Sequence, residues 1–335
     1  MVLSLSAFLM WPLAEASANV DSACDLNGDG ETDNFDASLT TPDIQEWNIA
    51  ASTALAMAPS PLTSPSPYKA FQVAIGLDLH QFDYLSCQER TVFLGGIQKT
   101  EDTNKTPVVP RFRFSMGLPM GGYVTISGLP PLTLFGVRTG VITGEVGGGF
   151  GLGDSPARLG VRLHASSGQI VGDIAHPVGM EPGDEGYDDA SVDDEYQFLN
   201  VGADAAVSWA IELPKLSIFP YAGAGVLNVS SIFYVGETYY TVFLGDHYTK
   251  YMHEENPGPV NEAGQLTPYP GYRGLDAFAG VRVAFLEHFE GTLEGFFIPV
   301  RTVIGSDERF LTETGETSPY VSNFFSLRLR LGYMF

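Results

Sequence analysis

The last stretch of the sequence alternates between apolar and polar side chains, and this period of two constrains the fold more than any other feature. The two sets interleave, with Phe325, Leu327, Leu329, Leu331, Tyr333 and Phe335 between Ser326, Arg328, Arg330 and Gly332. Successive side chains of a β-strand point to opposite faces of its sheet. The pattern therefore predicts a strand with one wholly apolar face.

Further segments upstream show the same period, although it is weaker where glycines dominate. The predicted strands are residues 68–80, 108–117, 121–129, 134–149, 157–171, 197–212, 217–235, 273–286, 289–303 and 322–335. The predicted fold is all-β, a transmembrane antiparallel up-and-down barrel of about ten strands, within a range of roughly eight to twelve. Residues 91–98 are a candidate for one more hairpin.

Composition and charge exclude two large classes of protein. The chain has 335 residues and a formal net charge of −23 at pH 7, and a chain this acidic repels nucleic-acid phosphates. Outside the N-terminus it contains no run of about 18 apolar residues, which a membrane-spanning helix requires. We therefore expect neither a nucleic-acid-binding protein nor a helical transporter.

The alternation that ends on Phe335 resembles the terminal strand of Gram-negative bacterial outer-membrane β-barrels. The likeness is close over the last strand and extends in general pattern over residues 68–335. It implies a location in the outer membrane, an exterior in contact with outer-membrane lipid, and recognition of the last strand by the barrel assembly machinery. A soluble β-sandwich is the alternative, because antiparallel sheets buried on one face alternate as well.

The lengths of the connections favour the barrel. Outer-membrane barrels usually have short periplasmic turns and long outer loops. The predicted short turns are 118–120, 150–156, 213–216 and 287–288, and the predicted long loops are 81–107, 172–196, 236–272 and 304–321. An even number of strands places both ends of the barrel on the periplasmic side.

Residues 1–18 are predicted to be a signal peptide. Met1 to Leu13 are mostly apolar, and Ala16-Ser17-Ala18 provides the small residues that signal peptidase requires. The usual basic n-region is missing, because no Lys or Arg precedes Lys69. A buried helix of a soluble domain is the alternative.

Residues 19–67 are predicted to form an acidic periplasmic extension, followed by the barrel at 68–335. Residues 25–36 of the extension resemble the calcium loops of EF-hands and dockerins, with Gly30 at the sharp turn. The implied ligands are the side chains of Asp25, Asn27, Asp29, Asp33 and Asp36 and the carbonyl of Glu31. One bound Ca²⁺ is therefore a predicted cofactor, and a metal-free turn rich in Asx and Gly is the alternative.

The rest of the extension is predicted to be a helix and a spacer. Thr41-Pro42-Asp43 is typical of a helix start, and residues 44–58 continue without Gly. The proline-rich run 59–67 should break this helix and act as a stiff extended linker. We expect the domain boundary in this run.

The alternation also assigns the charged residues that line the barrel lumen. They are Asp78, Arg111, Arg113, Arg158, Arg162, Asp204, Glu212, Arg282, Glu294, Arg328 and Arg330. Charges in a narrow lumen need partners or water, and ten strands enclose only slightly more space than the eight that side chains can fill. We expect a narrow lumen filled by arginine–acid pairs, and an open pore with an anion-favouring wall is the alternative.

These features predict a porin-like or structural barrel. The alternative is a surface-binding or adhesion barrel acting through its acidic outer loops, because residues 172–196 hold nine acids and no Lys or Arg. Such a loop is either simply solvated or suited to divalent cations. A barrel enzyme is the least favoured alternative and is not expected, because the candidate residues match no recognised motif: His80, Asp83, His164, His176, His247 and His253.

The two cysteines, Cys24 and Cys87, are expected to be unpaired. One precedes the first strand and the other follows it, so they should lie on opposite sides of the membrane. A disulfide requires Cα atoms within about 7 Å. Pairing would instead require residues 19–67 to pass through the lumen as a plug.

Overall fold

The computed structural model describes residues 55–65, 67–81, 86–94, 97–101, 108–134, 137–172, 175–177, 194–235, 238–243, 246–251, 268–270, 272–304, 311–312, 314–319 and 321–335. Ten strands among these residues form one closed antiparallel barrel. They are β1 (Val73–Gln81), β2 (Val108–Gly117), β3 (Gly122–Leu134), β4 (Val137–Gly151), β5 (Ala157–Gly172), β6 (Asp194–Trp209), β7 (Leu216–Val235), β8 (Arg273–Phe285), β9 (Phe289–Ile298) and β10 (Phe324–Met334).

Each strand pairs with its neighbours in chain order, and β10 pairs with β1 to close the barrel. The predicted up-and-down barrel is confirmed, and the soluble sandwich is excluded because the sheet closes on itself. The bounds differ by five residues at the start of β1, at the end of β3 and at the end of β9, which was predicted to run to residue 303. It ends at Ile298 because Pro299 has no N–H for the ladder, and a short helix, Val300–Ile304, follows.

The outer face of the barrel is apolar. Phe112 is 62% exposed, Val161 67% and Leu331 54%, and each lies on the outward parity of its strand. A closed barrel satisfies its backbone hydrogen bonds internally, so an apolar exterior of this kind suits hydrocarbon rather than water. The protein is a β-barrel of the outer membrane.

The two ends of the barrel differ. One end carries the compact turns at 118–121, 152–156, 214–215 and 286–288, and we call it the short-turn end. The other carries the long connections, and we call it the long-loop end. Short turns are the periplasmic feature of such barrels.

The remaining elements are not among the ten strands that close the barrel. A short helix at Cys87–Arg90 precedes a separate sheet formed by Thr91–Leu94, Ile97–Glu101 and Ala175–Pro177. The candidate hairpin at 91–98 therefore forms, but it is not part of the barrel. Further strands are Ile211–Leu213, Thr238–Phe243, Asp246–Tyr251 and Pro268–Pro270, and a 3₁₀ turn covers Pro119–Gly121. No helix among the described residues is both long and apolar enough to span a membrane.

Residues 55–65 lie inside the barrel, and we call them the plug segment. All eleven are buried. The prediction of a periplasmic extension and a spacer ahead of the barrel is wrong for these residues. A physical reason lies in the sequence: Pro59, Pro61 and Pro65 have no N–H group, so this buried chain has fewer donors to satisfy than an ordinary one.

Candidate functional site

The inward face of the barrel carries most of the predicted lumen residues. Nine of the eleven have buried side chains, namely Asp78, Arg111, Arg113, Arg162, Asp204, Arg282, Glu294, Arg328 and Arg330. Arg158 is half-buried, and its guanidinium lies 5.9 Å from the centroid of the Phe219 ring. The prediction is wrong for Glu212, which is exposed. Strand β6 ends at Trp209, so Glu212 belongs instead to the short strand Ile211–Leu213 at the short-turn end.

Four arginines and four acids form a continuous chain of buried ion pairs around the lumen. We call them the paired cluster: Asp204, Arg162, Glu145, Arg113, Asp78, Arg330, Glu290 and Arg282, in the order of contact. They come from eight of the ten strands, all except β3 and β7. The chain of charges therefore links most of the barrel wall.

The contacts of the paired cluster are short. Glu145 bridges two arginines, with its oxygens 3.0 Å from Arg113 Nη2 and 3.2 Å from Arg162 Nη1. Arg113 Nε donates to Asp78 Oδ2 at 2.6 Å. Glu290 bridges the other two, accepting from Arg282 Nε at 2.9 Å and Arg330 Nη2 at 2.5 Å. Each arginine thus faces at least one carboxylate.

Sequence reasoning missed three buried acids, Glu145, Glu290 and Asp276. The alternation of side chains along each strand could have identified two of them. Glu290 lies four residues before the predicted Glu294, and Asp276 six residues before Arg282, so both share the inward face of their strands. Glu145 lies in the glycine-rich segment, where the alternation is weak. Its inward position follows from pairing with His164 across β4 and β5.

The plug segment is held by hydrogen bonds from the barrel wall to its backbone. Arg111 Nη2 donates to the Met57 carbonyl at 3.0 Å, and Arg328 Nη1 to the Ala58 carbonyl at 2.9 Å. Arg162 Nη2 donates to the Pro59 carbonyl at 3.4 Å. These contacts come from three strands, so the segment is fixed on more than one side.

Closer to the short-turn end, the plug segment donates a hydrogen bond to a glutamate and packs closely against the barrel wall. The Leu62 N–H donates to Glu294 Oε2 at 3.0 Å, and Tyr221 donates its hydroxyl to the same oxygen at 2.7 Å. A Cβ built on Gly160 would lie 2.8 Å from Pro65 Cβ, so glycine is required for this approach. The chain therefore descends from the long-loop half to the short-turn end, where β1 begins.

In the long-loop half, the lumen is filled by apolar packing. Leu55, Ala56, Met57 and Ala58 belong to one buried cluster with inward residues of the wall. The wall residues of this cluster include Val109, Leu129, Val141, Phe198, Leu227 and Val229. Apolar contacts and backbone hydrogen bonds therefore hold the segment together.

Two arginines and a histidine next to the plug segment lack the carboxylate contacts of the paired cluster. We call Arg111, Arg328 and His80 the carbonyl-capped cluster. Their side chains are buried, and His80 lies directly opposite Arg328 in the pairing of β1 with β10. Among the described residues, neither arginine has a carboxylate oxygen within ion-pair distance.

The expectation of unpaired cysteines is wrong. Cys87 is disulfide-bonded, and the sequence contains one other cysteine, Cys24. The expectation assumed that everything before β1 stays on the periplasmic side. The plug segment precedes β1 and lies in the lumen, so this assumption is wrong for residues 55–65.

Other predicted site residues divide between the lumen and undescribed parts of the chain. His80 and His164 are buried in the lumen, and His164 Nε2 lies 3.4 Å from Asp204 Oδ2. The predicted calcium loop 25–36, the signal peptide and most of the acidic loop 172–196 lie outside the described residues. So do Asp83 and His253, and the side chains of His176 and His247 are not described.

No protein-family model and no curated protein matches the chain. Among solved structures, Ail of Yersinia pestis is 11% identical, covering 80% of this chain and 100% of that one, with a TM-score of 0.26. The Escherichia coli outer membrane protease OmpT is 9% identical, covering 81% and 100%, with a TM-score of 0.34.

A third solved structure with a similar strand arrangement is the translocator domain of the autotransporter NalP from Neisseria meningitidis. It is 10% identical, covering 80% of this chain and 90% of that one, with a TM-score of 0.30. Similarities this low carry no argument about function. The barrel is established by its own strand pairing and exterior.

Proposed function

We propose that the protein is a porin-like or structural outer-membrane barrel held closed by its own plug segment. The observation that carries this proposal is the burial of residues 55–65 in the lumen. Their backbone accepts hydrogen bonds from Arg111 and Arg328 and donates one to Glu294. We expect a lumen filled in this way to conduct no ions while the plug segment stays in place. The proposed role is not enzymatic.

Two features of the lumen support the proposal. The paired cluster ties the wall together by charge, and the plug segment fills the space that the wall encloses. A barrel that served as a permanently open pore would gain nothing from a buried, proline-rich chain in its lumen. The proposal therefore makes the plug segment the main barrier to ions.

Planar-bilayer recording tests the proposal. The intact protein should give no stepwise conductance, whereas a variant lacking residues 55–65 should give discrete steps. A matched control lacks residues 314–316, an exposed part of the last long connection, and should stay silent. Steps of equal size from the intact protein and the plug-deleted variant would rule out the plug as barrier.

A surface-binding role is the second candidate. It is favoured by the separate sheet of Thr91–Leu94, Ile97–Glu101 and Ala175–Pro177, which joins two long connections and is not needed to close the barrel. The acidic loop 172–196 adjoins this sheet and would attract a basic partner. Retention of poly-lysine by proteoliposomes of the intact protein, lost when the acids of 181–195 become amides, would support this candidate.

A further inference from the structure

The carbonyl-capped cluster is a buried positive site whose charge is not matched by bound carboxylates. Arg111 is 1% exposed, Arg328 0% and His80 2%. The two guanidinium groups and the imidazole come from adjacent strands, β2, β10 and β1. An ion buried without an opposite charge is costly, so a neighbouring group must offset it.

The acids nearest to these arginines are engaged elsewhere. Asp78 lies opposite Arg111 in the pairing of β1 with β2, but it binds Arg113 and lies 4.0 Å from Arg330. Glu294 lies opposite Arg328 in the pairing of β9 with β10. It accepts hydrogen bonds from Leu62 N–H and the Tyr221 hydroxyl instead.

The groups that contact the two arginines are uncharged: backbone carbonyls of the plug segment, Met57 Sδ and Ser326 Oγ. Met57 and Ala58 supply one carbonyl each, and Arg328 also lies 4.0 Å above the Phe296 ring. These groups carry only partial negative charge. They leave Arg111 Nε, Arg328 Nη2 and both ring nitrogens of His80 buried without a hydrogen-bond partner among the described residues.

We infer that the carbonyl-capped cluster is a binding site for a small oxyanion, a free phosphate or a carboxylate-bearing solute. The Met57 and Ala58 carbonyls occupy it while the lumen is closed, and the anion takes their place when the plug segment withdraws. Planar guanidinium groups suit such anions because their N–H donors match two oxygens at once. This inference rests on the proposed function, since it requires the plug segment to be removable.

The arginines of the paired cluster cannot serve the same purpose. Arg113 and Arg162 share Glu145, and Arg282 and Arg330 share Glu290, so an incoming anion would have to displace a carboxylate of the wall. In the carbonyl-capped cluster it displaces only plug carbonyls. We therefore place the anion site at the carbonyl-capped cluster, in the long-loop half of the lumen.

Calorimetric titration with inorganic phosphate tests the inference. The variant lacking residues 55–65, in detergent micelles, should bind phosphate. The same variant carrying Arg111→Gln and Arg328→Gln should bind at least tenfold more weakly. The matched control is Arg301→Gln, which removes an exposed arginine at the long-loop end and should leave binding unchanged. Heat-modifiable gel migration checks that each variant is folded.

Reversal potentials of the same variants in a salt gradient separate this inference from the proposed function. Anion-selective steps that lose their selectivity with Arg111→Gln and Arg328→Gln support both. Steps without anion preference, and no phosphate binding, overturn the anion site and leave the plug intact as the barrier. Phosphate binding that depends on the two arginines, without conductance, supports the site and overturns the plug as the barrier.

A labelling measurement on the full chain covers the case in which the deletion variant does not fold. Ser60 is fully buried in the plug segment, so a Ser60→Cys thiol should react slowly with an alkylating reagent. If phosphate competes with the plug carbonyls, it shifts the population towards the withdrawn state and speeds labelling. Faster labelling in phosphate that vanishes with Arg111→Gln and Arg328→Gln supports the site, and unchanged labelling in phosphate overturns it.

Discussion

The lumen contains two groups of buried arginines that differ in what they bind. Arg113 and Arg330 belong to the paired cluster, whereas Arg111 and Arg328 lie two residues away on the same strands and bind plug carbonyls. On each of these two strands, the two arginines are alike in residue type and burial. The difference shows that partners, rather than position on the inward face, decide whether a lumen arginine ties the wall together or holds the plug segment.

The two clusters therefore have different structural roles in the lumen. The ion pairs of the paired cluster are complete without the plug segment, because their carboxylates come from the wall, although Arg162 also donates to the Pro59 carbonyl. The carbonyl-capped cluster is incomplete without the plug segment. Changes in the first group should weaken the barrel itself, and changes in the second should act on the plug segment.

The largest effect is expected from Glu145→Ala. The substitution leaves Arg113 and Arg162 without their shared carboxylate, and removing one partner of a buried ion pair costs about 3–5 kcal/mol. Urea unfolding of the barrel in lipid vesicles measures this loss. Glu212→Ala, at an exposed position, is the control and should change stability by less than about 0.5 kcal/mol. Equal stability of the two variants would contradict a structural role for the paired cluster.

The next largest effect is expected when an arginine is introduced on the outward face of β10. Leu329 lies between Arg328 and Arg330 but points outward, so Leu329→Arg places a charge in lipid at a cost of roughly 2–4 kcal/mol near the bilayer midplane. Insertion into vesicles, followed by heat-modifiable migration, should fall, while Leu329→Ala inserts more completely. In cells, the yield in the outer membrane also tests recognition of this strand by the assembly machinery. Full insertion of Leu329→Arg would argue that this face does not contact lipid.

A smaller effect is expected from Arg328→Gln. Its partners are the Ala58 carbonyl and Ser326 Oγ, and hydrogen bonds of charged groups contribute about 1.5–3 kcal/mol. The unfolding free energy should therefore fall less than in Glu145→Ala, and a Ser60→Cys thiol introduced alongside should label faster. A loss as large as that of Glu145→Ala, with unchanged labelling, would show that Arg328 supports the wall instead of the plug segment.

The smallest effect concerns the predicted calcium loop, which lies before the plug segment. Asp29→Ala removes one hard oxygen ligand, so the full-length protein should bind Ca²⁺ at least tenfold more weakly, or about 1.4 kcal/mol. Calorimetric titration with Ca²⁺ measures the change, and Asn34→Ala, at a position that supplies no ligand, is the control. Absence of Ca²⁺ binding by the unaltered protein would leave residues 25–36 as a turn.

The plug segment shows where sequence reasoning stops. Residues up to 58 were predicted to be helical and the prolines from Pro59 onward to form an extended chain. The structure has a helical turn at 55–57, followed by a chain without helix or strand at 58–65. Whether it lies beside the barrel or within it depends on the space that ten strands enclose and on the contacts of Arg111, Arg328 and Glu294. These contacts join residues more than 50 positions apart, such as Arg111 and Met57, and no local pattern encodes them.

The sequence by itself determined the barrel and its two faces. A period of two is a property of each strand alone, so apolar and charged residues are assigned to opposite faces without knowledge of the neighbours. Only the tertiary structure decided which charges pair, that Glu145 and Glu290 each bridge two arginines, and that residues 55–65 fill the lumen. The physical reason is that partners across a closed barrel are set by strand register and by the space inside, and both exist only once the sheet has closed.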